Sequence, residues 1–445
     1  MLGSGDRDTI ESCLFEKGLG DILVRNADRI ELTIDYAKVE EFLDTCDAVF
    51  MCLPTPEIGE TGESNLQYYF DAAEKLAQAL IKRNPHKLSS ASTSAEAMAD
   101  EKATAGKQDK YVVIVNKSTV PIDMVNKTQE IMEKAGVKNY GIVSNPEFLV
   151  EGKAIEGSLK PSRVVVGAWK QEDFGVMRKV YQRFYDSSGV DYIEVNPKEA
   201  AAGKLLANFY LFNKLAVCFD VIGRTCETFS DLDFEQMRKI LTSDPRIGDW
   251  GFYDSLYAGG SCFIKDARSL SHQLQTSGKE AIIVNETFLA NKRQLEIFIG
   301  RAEAEAEFDW AGKTVTLLGT AFKRDTNDIR NSPSIDIGHF LQEKQVTQVN
   351  VFDPAAMEFF KQVFPESDQF QYCNHEFEAI KDVDVIIIAT DWPQFRGLAD
   401  VMTAELKNRP LIMDGRRMLQ HRYNDLQNAG FDIIAVGSPF IKAKK

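Results

Sequence analysis

Short apolar runs that stop abruptly at polar residues alternate with segments whose apolar positions recur at helical spacing. The first run, AVFMCLPTP (48–56), reads as a buried strand halted by two prolines. KYVVIVNKSTVP (110–121), NYGIVSNPEFLVEG (139–152), SRVVVGA (162–168) and VDYIEV (190–195) predict four more strands. NLQYYFDAAEKLAQALIKR (65–83) and EDFGVMRKVYQRFYD (172–186) carry helical periodicity between them. Such alternation predicts a doubly wound α/β sheet, in which ligands bind beyond the carboxyl ends of the strands. Pro54-Thr55-Pro56, KSTVP (117–121) and NPEFLVEG (145–152) fall at those ends. A polar stretch rich in Ala, Ser and Lys, about 84–109, reads as a surface insertion.

The pattern changes at Pro197, a residue suited to a first helical turn. PKEAAAGKLLANFYLFNKLAVCFDVIGRTCETF (197–229) predicts one long helix, better able to tie domains or subunits together than to sit in a sheet layer. Lys204 and Asn208, four apart, share a face of it. From periodicity alone they are either a solvated polar face or functional groups. A second helical region covers 279–306, and then five strands alternate with helices: KTVTLLGTAF, VTQVNVFDP, VDVIIIATDW, PLIMDGRR and FDIIAVG. Their ends carry Lys323, Asp353, Asp391 and Arg416. The expected architecture is therefore α/β, with two Rossmann-like doubly wound domains, 1–195 and 307–445. They are joined by the long central helix and a helical dimerisation region, 196–306.

At 445 residues, 44% hydrophobic and 27% charged, the chain has the composition of a globular protein too long for one core. A net charge of −15 argues against nucleic acid, which needs a basic surface, but not against a small phosphorylated ligand held by a few well-placed groups. No run of about 18 apolar residues occurs, so no membrane span is expected, and MLGSGDRDTIESC lacks the regions of a signal peptide. Seven scattered cysteines and five dispersed histidines show neither a disulfide framework nor a metal-ligand pattern. A reducing, cytoplasmic setting is the expectation.

YAGGSCFIKDARSL (257–270) carries the sharpest candidate chemistry. Cys262 is either a small buried hydrophobe or a nucleophile with charged helpers. Gly259 and Gly260 permit close backbone approach to a ligand. Lys265 brings positive charge, and Asp266 is able to act as a base or to orient water. Neither α/β stretch contains G-x-G-x-x-G, the phosphate turn of a dinucleotide fold.

This stretch occurs with KSTVP, NPEFLVEGKAI, AGKLLAN, DPRIG, LGTAFKRDTNDIRNSPS and MDGRR in an order that resembles the UDP-glucose 6-dehydrogenase family, from about residue 14 to the C-terminus. The wider group includes GDP-mannose and UDP-N-acetylhexosamine dehydrogenases. The resemblance implies a four-electron oxidation of the primary alcohol of UDP-glucose to UDP-glucuronate, with NAD as cofactor. Cys262 would pass through a thiohemiacetal and a thioester. Lys204 and Asn208 would stabilise negative charge on the reacting oxygen, and Asp266, Thr119 and Glu147 would position water and move protons. Phe148, Leu149, Glu151, Gly259, Gly260, Lys323 and Arg416 would contact substrate, and Arg246 would reach a neighbouring subunit's site, implying a homodimer or higher oligomer. Pro54, Thr55, Thr119, Glu151, Lys265 and Arg330 would contact NAD. The sequence departs from the family where Tyr257 replaces a common glycine, Ala258 an aromatic residue and Ile264 a frequent proline. The family's opening strand–turn–helix has no counterpart, so the resemblance implies a chain that starts roughly two strands into its NAD domain, with an unpaired sheet edge. Oxidation of GDP-mannose and a non-catalytic nucleotide-sugar-binding subunit are the alternative expectations.

Overall fold

The computed structural model describes residues 2–82, 110–253 and 255–444, so the insertion expected at about 84–109 lies outside the described residues. The chain divides into two compact units, Met1–Ala207 with Arg268–Ser277, and Asn208–Ala267 with Gly278–Lys445. The dividing points fall inside the long helix and inside the helix that Cys262 opens.

In the first unit all five expected strands form: β1 (Ala48–Met51), β2 (Val112–Asn116), β3 (Tyr140–Ser144), β4 (Arg163–Gly167) and β5 (Asp191–Val195). They lie in chain order and pair in parallel, except where β3 meets β4 antiparallel at Ser144 and Gly167. β2 is buried throughout because its alternating side chains feed two cores. Val112 and Ile114 pack with Tyr69, Leu76, Met124 and Met132, and Val113 and Val115 with Val143, Val166, Phe174 and Met177. β1 lies at the margin of the described sheet, with Phe50 exposed.

The second unit holds a six-stranded parallel sheet: β6 (Thr314–Leu318), β7 (Gln348–Phe352), β8 (Phe370–Tyr372), β9 (Val385–Ile388), β10 (Leu411–Asp414) and β11 (Ile433–Ala435). Its order is β11-β10-β9-β6-β7-β8, so the winding reverses between β6 and β9, as in a doubly wound fold. The sixth strand, β8, was not among those expected. It is only three residues long and buries Phe370 alone. One face of this sheet packs on the helix Ile282–Ala306 through Leu295, Phe298, Ile299 and Ala302.

The helical run expected from Pro197 is continuous, with one internal change of pitch. Pro197–Ala216 is α-helical, Val217–Gly223 forms a π-helical segment and Arg224–Thr228 returns to α. By length and composition an 18-residue window of this run, with a mean hydropathy of 1.5, is apolar enough to cross a bilayer, and 33% of that window is buried inside the protein. Its Phe212, Cys218, Phe219 and Cys226 are buried, whereas Leu206, Tyr210, Val217 and Val221 are exposed.

Candidate active site

Each unit carries its own cluster of the residues singled out by sequence. In the first, two strand-end loops are tied together. Ser118 Oγ donates to Leu53 O at 2.8 Å and accepts from Leu53 N at 2.6 Å, while Thr55 Oγ1 donates to Thr119 O at 2.9 Å. Pro54, Thr55 and Thr119 thus share one ledge beyond β1 and β2.

Glu147 follows β3 and is paired with Lys204 of the long helix, Nζ to Oε1 at 3.1 Å. Its other oxygen accepts from Leu149 N at 2.5 Å. Lys204 is only 4% exposed, so its charge relies on Glu147 and on the ring of Phe148, 5.3 Å below the ammonium. The Arg163 guanidinium also lies over that ring, at 4.0 Å. Leu149 is 40% exposed. The loop that continues through Glu151 is pinned by Glu16, whose two oxygens accept from Gly152 N at 2.9 Å and Ala154 N at 3.0 Å.

Sequence reasoning missed Lys117, although an ammonium at the end of an all-apolar strand was the available signal. Its Nζ donates to Asn145 Oδ1 at 3.2 Å, and the buried Asn145 also accepts from Tyr181 OH at 2.6 Å. Burial, aided by the like charge of Lys204, pulls Lys117 below the usual lysine range against the opposing pull of Glu147 and Cys52.

In the second unit the chain enters its helix Cys262–Thr276 through Gly260, at φ +83°, a left-handed conformation that favours glycine. Cys262 is exposed at the first position, where unpaired backbone N–H groups concentrate partial positive charge. Ser261 Oγ lies 3.8 Å from its sulfur. One turn on, Asp266 is buried with both oxygens engaged. Asn208 Nδ2 donates to Oδ2 at 2.6 Å and Lys265 Nζ to Oδ1 at 2.6 Å. Asn208 is itself buried, so the solvated-face alternative fails for both polar residues of the long helix.

The glycine pair has a reason internal to the protein. A Cβ at Gly259 would lie 2.5 Å from Asn331 O, and one at Gly260 would lie 2.8 Å from the Phe322 ring. Gly260 N donates to Arg330 O at 3.2 Å and Gly260 O accepts from Asn331 Nδ2 at 3.0 Å. Both polar groups of Gly260 are thus engaged by the 330–331 loop.

At the strand ends of the second sheet, Arg416 Nη2 donates to Asp391 Oδ1 at 2.7 Å, and Arg324 Nε approaches Oδ2 at 3.6 Å. Burial works against the Asp391 carboxylate, but Arg416 and Arg324 outweigh it and hold its pKa below the usual value. Lys323 Nζ lies 5.6 Å from the Phe322 ring centroid. Arg246 and Arg330 are surface groups, paired with Asp244 and Asp328, each at 2.6 Å.

The acid at the end of β7, where a dinucleotide fold would read a ribose, has no capacity left for one. Asp353 accepts from Thr320 N, Ala321 N, Trp392 Nε1, Ala355 N and Ala356 N at 2.7–3.1 Å. The second sheet does not fit NAD. In the first, Thr55 and Thr119 lie together beyond two adjacent strands, joined by the Thr55 Oγ1 bond to Thr119 O.

Comparison with known proteins agrees with this division. The NAD-binding domain of the UDP-glucose/GDP-mannose dehydrogenase family matches residues 8–109 and 95–185, its central domain 198–293, and its UDP-binding domain 316–421. The UDP-glucose 6-dehydrogenase TuaD of Bacillus subtilis is 28% identical over 433 residues, covering 96% of this chain and 84% of its own length. A UDP-glucose dehydrogenase structure from Pyrobaculum islandicum superposes with a TM-score of 0.77 at 26% identity, covering 97% of this chain and 88% of that one. A UDP-D-ManNAc dehydrogenase from Pyrococcus horikoshii shares the fold, with a TM-score of 0.72 at 18% identity, over 98% of this chain and 92% of its own.

Proposed function

The chain belongs to the UDP-glucose/GDP-mannose dehydrogenase family, and from that premise we propose that it is an NAD-dependent UDP-glucose 6-dehydrogenase working through a covalent Cys262 intermediate. The observation that carries the reading is the pairing of an exposed thiol with a buried, doubly engaged carboxylate one turn along the same helix. NAD, when bound, takes up hydride. Pro54, Thr55, Thr119, Glu151, Lys265 and Arg330 are the residues assigned to hold it.

In this reading the C6 alcohol is first oxidised to the aldehyde. Cys262 Sγ adds to the aldehyde carbon, its proton passing to the C6 oxygen, to give a thiohemiacetal that keeps the aldehyde from escaping. A second oxidation leaves the thioester, and water cleaves the C–S bond to release the carboxylate and the thiol. The Lys204 ammonium and the Asn208 amide stabilise negative charge on the C6 oxygen. Asp266 and Glu147, with Thr119, orient water and carry protons. Phe148, Leu149 and Gly259 line the sugar, while Lys323 and Arg416, at the ends of β6 and β10, bind the UDP diphosphate.

The exposed apolar side chains Leu206, Tyr210, Val217 and Val221 are assigned to a second copy of the chain, with Arg246 extending into that copy's substrate site. A thiol nucleophile also has to stay reduced, which fits a cytoplasmic setting. The test is turnover by the purified chain with NAD and UDP-glucose. About two NADH should form per sugar, the stoichiometry of alcohol-to-acid oxidation by the thioester route, and Cys262→Ser should stall before multiple turnovers. Parent-rate turnover by Cys262→Ser would sink the covalent step. Oxidation of GDP-mannose with UDP-glucose ignored would overturn the substrate.

A further inference from the structure

Tyr257 stands where the family commonly has glycine, and the reaction sketched above does not use it. We propose that Tyr257 is a positioning residue for Cys262, holding the nucleophile's loop through a hydrogen-bonded strut to Asp336. The inference rests on the covalent role given to Cys262.

The Tyr257 ring belongs to the core of the second unit, with Leu256, Leu295, Phe298 and Trp310. Its hydroxyl reaches out of that core and donates to Asp336 Oδ2 at 2.7 Å. Burial, reinforced by Asp336, pushes the phenol far above its ordinary range, so it remains a donor at any working pH. Asp336 lies in the first turn of helix Pro333–Glu343, directly after the residues that hold Gly260 through Arg330 O and Asn331 Nδ2. Segments 257–260 and 330–336 are thus joined at both ends, by the tyrosine strut at one and by the Gly260 bonds at the other. Between the two, Asn291 secures Ala258, its Oδ1 accepting from Ala258 N at 2.8 Å and its Nδ2 donating to Ala258 O at 3.3 Å. The next residues are Ser261 and Cys262, which opens its helix two positions beyond the last of these bonds. A glycine at 257 would offer no side chain for such a strut.

The strut is separable from the fold. Asp336 is exposed, so removing the tyrosine hydroxyl leaves its carboxylate to water, and the ring of a Tyr257→Phe variant still fills the core. We expect Tyr257→Phe to keep the parent's melting temperature and its KM for UDP-glucose while kcat falls about tenfold, the scale of a small misplacement of a reacting atom. The substrate-independent readout is alkylation of Cys262 by iodoacetamide, followed by mass spectrometry, which should shift about threefold or more, with Cys52 as an internal control. Asp336→Ala should reproduce both changes, and the double variant should be no worse than either single one, as for two ends of one interaction. Parent-like kcat and parent-like alkylation in Tyr257→Phe would overturn the proposal, as would independent, additive effects of the two substitutions. If the parent itself fails to oxidise UDP-glucose, the functional reading falls, while the alkylation rates still decide whether the strut holds the thiol.

Discussion

The two sheets share a parallel α/β construction yet spend the polar groups at their strand ends differently. In the second, Asp353 is consumed by five donors of its own unit, among them the Thr320 and Ala321 N–H groups of the turn after β6. Asp414, at the end of β10, is likewise filled by Arg416 N, Met418 N, Leu419 N and Tyr423 OH. These carboxylates organise loops, while Lys323, Arg324 and Arg416 bring positive charge to the same strand ends. In the first sheet the ends of β2 and β3 carry Lys117, which donates to Asn145 Oδ1 at 3.2 Å and Tyr181 OH at 3.4 Å, and Glu147, which pairs with Lys204 and accepts from Leu149 N. The same architecture thus saturates its strand-end carboxylates in one unit, the platform, and, in the function proposed above, leaves strand-end charge for the reaction in the other.

The sharpest way to break this contrast is to remove an acid from the platform. Asp353→Ala strands five donors and should destabilise the second unit by about 3–5 kcal/mol, read as a lower urea midpoint by tryptophan fluorescence from Trp310 and Trp392. A loss below about 1 kcal/mol would mean that water replaces the carboxylate readily, and the platform description would fail. On the reactive side the pattern should invert. Lys204→Met is expected to lower kcat about 10²- to 10³-fold. Its stability should change by only about 1 kcal/mol, because Glu147 is 30% exposed and water is able to solvate it. A large stability loss with near-parent kcat would place Lys204 in the scaffold instead.

Much of this was readable in the sequence because each buried strand writes itself as an apolar run with a polar stop, as β2 does in VVIVN followed by Lys117. β8 was not readable, since three residues with one buried ring fall below any periodic signal. Cys262, Lys204, Asn208 and Asp266 were singled out through the order of the motifs around them. What each one touches was not: the Asn208–Asp266 bond joins residues 58 apart in the chain. The glycine pair shows the limit most clearly. Two glycines announce a close approach, but only the structure shows that the approaching groups are Phe322 and Asn331.

The smallest expected effect lies where the platform carries charge. The Arg416–Asp391 pair has side chains 13% and 27% exposed, so it is partly screened and Asp391→Asn should cost about 1 kcal/mol at neutral pH. Its pH dependence tells the pair from a mere hydrogen bond. Burial raises the Asp391 pKa, but Arg416 and Arg324 override it and hold the folded value below the ordinary 3.8. A carboxylate depressed on folding contributes its full stability above the unfolded pKa and loses it as pH falls through the folded one. The gap between parent and Asp391→Asn should therefore stay level from about pH 8 to 5 and close only below about 4. A gap that had already closed at pH 6 would show that the charge on Asp391 is not what anchors Arg416.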